Sequence, residues 1–289
     1  MHLSRYDDAT QFHARVEPFL LAHEAAHCLS LGILNTLLQR PDAWGAEPPY
    51  LALVEDEGAV AAVALRTPPY NPIISLIAPE AADEALARFA ADLRACYREL
   101  PGVFGPTALS RAFADQWQAL TGRSFRLSMK QRVYQLDRVI PVTGVAGQMR
   151  RASEGDRALL ERWTAAFFAE ALGDREPEDA AHWVENALAT GTRVLFLWED
   201  SAGQPVSLAG YGGPTPNGMR IGPVYTPPEH RRHGYASAIT AALSQVLLDG
   251  GRRYCFLFTD LANPTSNAIY QAIGYRPVVE VDMYTFADD

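Results

Sequence analysis

The chain has 289 residues, of which 48% are hydrophobic and 20% charged, and 25 basic against 34 acidic side chains give a formal net charge of −9. That length suits about two domains of roughly 150 residues, and the acidic balance excludes non-specific nucleic-acid binding, which needs clustered Lys and Arg. No apolar run approaches the ~18 residues of a membrane span, the opening MHLSRYDDATQF is no secretory signal, and the scattered Cys28, Cys96 and Cys255 read as free thiols, so a cytoplasmic protein with neither membrane nor nucleic-acid partner is expected.

The periodicity predicts an amphipathic helix or a close helix pair over Glu17 to Gln39, with Leu20, Leu29, Leu34 and Leu37 on its apolar face. Tyr50 to Val54 and Ala59 to Leu65 form a hairpin around Glu55-Asp56-Glu57-Gly58, with Gly58 free to take positive φ. A short strand follows at Ile73 to Ala78, then helices over Pro79 to Leu100 and Thr107 to Leu120, and a closing β segment over Arg126 to Leu136.

Within the first helix, His23-Glu24-Ala25-Ala26-His27 matches the HExxH pattern that puts two zinc ligands and a base on one helix face. A third ligand is missing: the position six past His27 is Ile33, and the acids Glu47, Glu55 and Glu57 sit beyond a proline break or in a turn. Polar residues on the solvent side of a helix account for the segment without a metal, and no metal site is expected. A zinc hydrolase is the lesser alternative.

Gly144-Val145-Ala146-Gly147 reads as a connector, which places a domain boundary between residues 1–143 and 148–289. Beyond it, Ser153 and Asp156 resemble a capping box at the start of a helix reaching Leu172, and Pro177 to Leu188 is a second helix whose Pro-Glu-Asp opening suits the dipole. Val194 to Trp198 and Val206 to Tyr211 are strands, and Gly212 to Gly218 is a hairpin turn. Met219 to Thr226 is a strand leading through a basic loop into a helix over Gly234 to Leu248, with Ile239, Leu243, Val246 and Leu247 inward. Tyr254 to Thr259 is a buried strand, Pro264 to Ile273 a short helix capped by Gly274, and Val278 to Phe286 the last strand.

The two halves repeat one order of elements, with Leu51 and Leu195 in matching hairpins. They differ at one place. Where the second half has Pro227-Pro228-Glu229-His230-Arg231-Arg232-His233-Gly234, the first has Pro79-Glu80-Ala81-Ala82-Asp83-Glu84. A glycine-containing basic loop at a helix start holds phosphate; a loop of carboxylates repels it.

Arg231-Arg232-His233-Gly234-Tyr235-Ala236, followed by Asn263 to Tyr270 after a strand, resembles the pyrophosphate motif and second motif of the GNAT superfamily of N-acetyltransferases. The resemblance implies an α/β (α+β) fold of two tandem GNAT-like domains, each a mixed twisted central sheet flanked by helices on both faces, the first degenerate. It implies acetyl-CoA as co-substrate and direct acetyl transfer to a primary amine of an acceptor that the sequence does not name. The loop and helix start, Arg231, Arg232, His233, Gly234, Tyr235, Ala236 and Ser237, would take the pyrophosphate. Val224, Tyr225 and Thr226 would take the pantetheine arm, with the Val224 amide polarising the thioester carbonyl. Asn263 and Asn267 would add to the coenzyme site, and Tyr270 would protonate the leaving thiolate. Glu170, Asp260 and Glu280 are candidates for the general base. The first domain would wall the acceptor site or stabilise the second, and the protein would be a monomer or homodimer. A non-catalytic acyl-CoA-binding module is the alternative reading.

Overall fold

The computed structural model describes residues 1–172 and 180–287. In chain order it contains β1 (His2–Arg5), α1 (Ala9–Leu21), α2 (Cys28–Gln39), β2 (Tyr50–Asp56), β3 (Ala59–Arg66), β4 (Ile73–Ile74), α3 (Pro79–Cys96), β5 (Gly102–Pro106), α4 (Thr107–Thr121) and β6 (Ser124–Leu136). Then follow β7 (Gln148–Arg151), α5 (Arg157–Leu172), α6 (Ala180–Thr190), β8 (Arg193–Glu199), β9 (Pro205–Gly212), β10 (Gly218–Tyr225), α7 (Tyr235–Asp249), β11 (Tyr254–Asp260), α8 (Pro264–Ile273) and β12 (Arg276–Ala287). The expected mixed α/β class holds. The Pro177, Glu178 and Asp179 expected to open α6 lie outside the described residues.

Two compact units result: Met1–Val133 together with the chain from Val278, and Tyr134–Pro277. The sequence expectation set the boundary at 143/148 and gave the last strand to the second domain, so the units differ from it at both ends. The reason is strand pairing. β12 runs antiparallel to β5, with Met283 opposite Phe104 and Tyr284 opposite Val103, and buries Tyr284 and Phe286 in the first unit's core, where Phe286 stacks on Trp117. The strand order there is β1-β2-β3-β4-β5-β12-β6, and in the second unit the closing residues of β6 neighbour β11 in the order β6-β11-β10-β9-β8-β7. The Gly144–Gly147 connector therefore falls inside the second unit.

Period-two alternation explains why, in each unit, helices cover both faces of the strands. Along β2, Leu51 and Leu53 join α1 and α2 in one core, while Tyr50, Ala52 and Val54 join α3 and α4 in another. Along β8, Leu195 and Leu197 pack with α5 and α6, and Phe196 and Trp198 with α7 and α8. The β2–β3 hairpin turns through Glu57 (φ 48°) and Gly58 (φ 82°), a two-residue turn with both φ values positive. On α7 the buried stripe runs through Thr240, Leu243, Ser244 and Leu247, and Val246, expected inward, lies at its edge and is exposed.

Candidate functional site

β10 leaves its neighbour part-way along. It pairs with β11 in parallel at Gly218–Tyr254, Met219–Cys255 and Arg220–Phe256, and the ladder stops there although both strands continue. On its other side β10 keeps its pairing with β9 through Val224 and Tyr225, after a bulge between Ile221 and Val224. The bulge bends the strand, and beyond Arg220 and Phe256 the facing edges of β10 and β11 have no ladder between them, beside the residues expected to bind an extended ligand. Of those, Thr226 falls just past the strand end, its hydroxyl 2.8 Å from Ser207 Oγ, and the Tyr225 ring is buried against Trp163.

The loop from Pro227 to Gly234 is held from below and open above. Arg231 turns its side chain back, donating from Nε to the Thr226 carbonyl at 2.9 Å and from Nη2 to both Glu170 carboxylate oxygens at 2.8 and 2.7 Å. Arg232 (φ 67°) and Gly234 (φ 82°) both take left-handed backbone, a conformation that costs a non-glycine residue about 1–2 kcal/mol. Gly234 is the N-cap of α7 and supplies no side-chain acceptor. The first backbone bond into the helix is Ala238 N to Gly234 O, and among the described residues no acceptor takes the amides from Arg232 to Ser237. A run of free amides at the positive end of a 15-residue helix has the donors and the dipole to hold an anion. Gly234 is also tightly placed: a Cβ there would meet Val145 Cγ2 at 2.8 Å. His233 stacks on Tyr235, and Arg231, Arg232, His233 and Gly234 are exposed.

Tyr270 is 8% exposed on α8, with its ring edge-on to Tyr275 and no hydrogen bond to its hydroxyl among the described residues. Burial pushes its phenol up to about 12. The two asparagines beside it hold the fold: Asn263 Oδ1 caps α8 by accepting from Ser266 N at 3.0 Å, and Asn267 Nδ2 donates to the carbonyls of Asp260 and Asn263 at 2.9 and 2.8 Å. Asn267 Oδ1 accepts from Tyr134 at 2.9 Å, a partner 133 residues away in sequence that local patterns do not reveal. The three carboxylates considered as general base are all engaged: Glu170 with Arg231, Asp260 with the Ala262 amide, and Glu280, which belongs to the first unit, with Arg132.

The HExxH match is not a metal site. Residues 22–27 form turns between α1 and α2, so the helix face that the motif requires does not exist. His27 is buried, Nδ1 donates to the Leu20 carbonyl at 2.9 Å, and Nε2 accepts from Leu76 N at 3.0 Å. Both nitrogens are used, which fixes one neutral tautomer, and burial lowers its pKa to about 4. Glu24 is buried as well, so the solvent-face reading of the segment is corrected along with the zinc reading. Among the described residues no three or more His, Cys, Asp or Glu side chains gather in a group that could hold a metal ion. A cavity of about 640 Å³ in the first unit, lined by Thr107, Arg111, Phe125, Lys130, Asp282 and Tyr284 among others, contains none of the expected site residues. No described helix is long and apolar enough to cross a membrane.

Residues 210–283 match the family model described as FR47-like protein, a stretch that includes β10, the loop, α7, β11 and α8. No curated protein sequence matches the chain. Its fold resembles that of a Drosophila protein, with a TM-score of 0.68 at 11% identity. It also resembles a GCN5-related N-acetyltransferase from Sphaerobacter thermophilus (0.59, 16%) and a tandem GNAT protein from the clavulanic acid biosynthesis pathway (0.57, 14%). Each likeness covers 99% of this chain and 98% of the other. The chain therefore has the GNAT fold in its tandem form, with the FR47-like stretch carrying the open loop at the start of α7.

Proposed function

We propose that this protein is an acetyl-CoA-dependent N-acetyltransferase whose second unit carries the site. The observation that carries this reading is the run of free amides at the start of α7, next in the chain to the strand β10 that parts from β11. The amides from Arg232 to Ser237 would take the coenzyme's pyrophosphate, with Gly234 allowing the close approach. Main-chain groups of β10 from Val224 onward would pair with the pantetheine arm, and the Val224 amide would polarise the thioester carbonyl. Tyr270 would give its proton to the sulfur as the amine displaces it; a phenol pushed up to about 12 is fully protonated at neutral pH.

The first unit offers no counterpart. α3 starts at Pro79, which has no amide hydrogen, with Glu80 in its first turn, and the segment 75–78 that leads into it carries no glycine or basic residue and has its Leu76 amide taken by His27. Acetyl-CoA binding is accordingly assigned to the second unit alone.

Calorimetric titration with coenzyme A tests the site. Gly234→Asp, which sets a side chain against Val145 and a carboxylate against the diphosphate, should weaken binding at least tenfold. Absence of binding to the wild-type chain would overturn the reading. Tyr270→Phe should bind coenzyme A normally and lose about a hundredfold in kcat on a panel of amines; retained turnover would remove Tyr270 from its role.

A further inference from the structure

We propose that Tyr134, on β6, is a positioning residue for Tyr270. The inference rests on the proton-donor role given to Tyr270 above. Tyr134 is fully buried, and its hydroxyl works in two directions: it donates to Asn267 Oδ1 at 2.9 Å and accepts from Gln271 Nε2 at 3.1 Å. Those two partners lie one turn apart on α8, on the face turned to β6. Asn267 then passes the constraint on, its Nδ2 donating to the carbonyls of Asp260, at the end of β11, and Asn263, at the helix cap.

One phenol thus fixes both the rotation of α8 about its axis and its height against the end of β11. Tyr270 sits between Asn267 and Gln271 in sequence, and each helical residue advances by a fixed ~100°. Its direction is therefore set by the two residues that Tyr134 holds. Tyr270 has no hydrogen bond of its own among the described residues to set that direction, and its ring stands edge-on to Tyr275. A displacement of about 1 Å of a catalytic group can cost on the order of a hundredfold in rate, so a single hydroxyl on β6 governs the reaction without touching the substrate.

The test is a double-mutant cycle of Tyr134→Phe and Tyr270→Phe, read as thiol release from acetyl-CoA with an amine panel and as slow hydrolysis without it. Tyr134→Phe keeps the ring and removes only the hydroxyl. It should lower kcat about tenfold with coenzyme A affinity within twofold of wild type, and should cost almost nothing further when Tyr270 is already Phe. Losses that multiply, or an unchanged kcat, overturn the positioning role while leaving the proposed activity standing. A Tyr270→Phe variant with full activity, or a wild-type chain that releases no thiol, overturns the donor role and the inference with it. If Tyr134→Phe lowers the melting temperature enough to obscure the rates, Gln271→Leu removes one of the two anchors and should show the same non-additivity with Tyr270→Phe.

Discussion

Burial acts on His27 and Tyr270 in one way, by disfavouring the charged form, so the imidazole falls to about 4 while the phenol rises to about 12. For His27 the consequence is pH-dependent stability. The folded pKa lies below the unfolded value of 6.5, so between the two the unfolded chain binds the extra proton. Stability is full above pH 6.5 and is lost as pH falls toward 4, by about 2 kcal/mol between pH 7 and pH 5. Urea unfolding at those two pH values should show that slope in the wild type and a flatter one in His27→Ala, which is less stable throughout because the Leu20 carbonyl and Leu76 amide lose their partner. Equal slopes in both proteins would contradict the assignment. In the sequence this residue looked like half of a metal site or a solvated polar position. Its role depends on Leu76, 49 residues on, which no local spacing encodes.

At the level of elements, what is written locally was legible. The Ser153–Asp156 capping box forms, with Asp156 Oδ2 accepting from the Ser153 amide at 2.8 Å, and Gly274 ends α8 in left-handed backbone as its position suggested. The remote half of the same arrangement was not. Arg150 on β7 forks onto both Asp156 oxygens at 2.8 Å and also bonds Glu199 on β8, fastening the start of α5 to two strands. The Arg150 guanidinium, more than the cap, holds the Asp156 carboxyl at about 2. Since that pKa is depressed, its stabilising effect is present above the ordinary carboxylate range and is lost as pH drops through about 2. Asp156→Asn should cost about 2 kcal/mol at neutral pH through the lost charge-assisted bonds and weakened cap. Chemical denaturation showing a loss below 0.5 kcal/mol, the size of an ordinary surface change, would argue against it. The same distinction governs the site: the amide run at α7 could be read from Arg231 to Ala236, whereas the Glu170 clamp beneath it and the Tyr134 anchor under α8 are contacts between distant segments.

For the whole molecule, the repeat of elements was readable in the order of strands and helices, but not where each unit ends. Val278 to Phe286 carries an unremarkable strand pattern that suits either half, and only its pairing with β5 assigns it. A chain ended at Pro277 should therefore lose the cooperative melting of the first unit, exposing Trp117 and β5, while residues 134–277 resist protease. Limited proteolysis with mass readout would show the first half cut early; resistance equal to that of the full chain would mean that β12 is dispensable there. The placement of β12 also sets an order in time. On the ribosome, the first unit's other strands emerge long before β12, and at 5–20 residues per second the wait is on the order of ten seconds. Until then the edge of β5 offers unpaired amides and carbonyls to any passing strand, so this half of the protein is born open and is completed only after the whole of the second unit has been made.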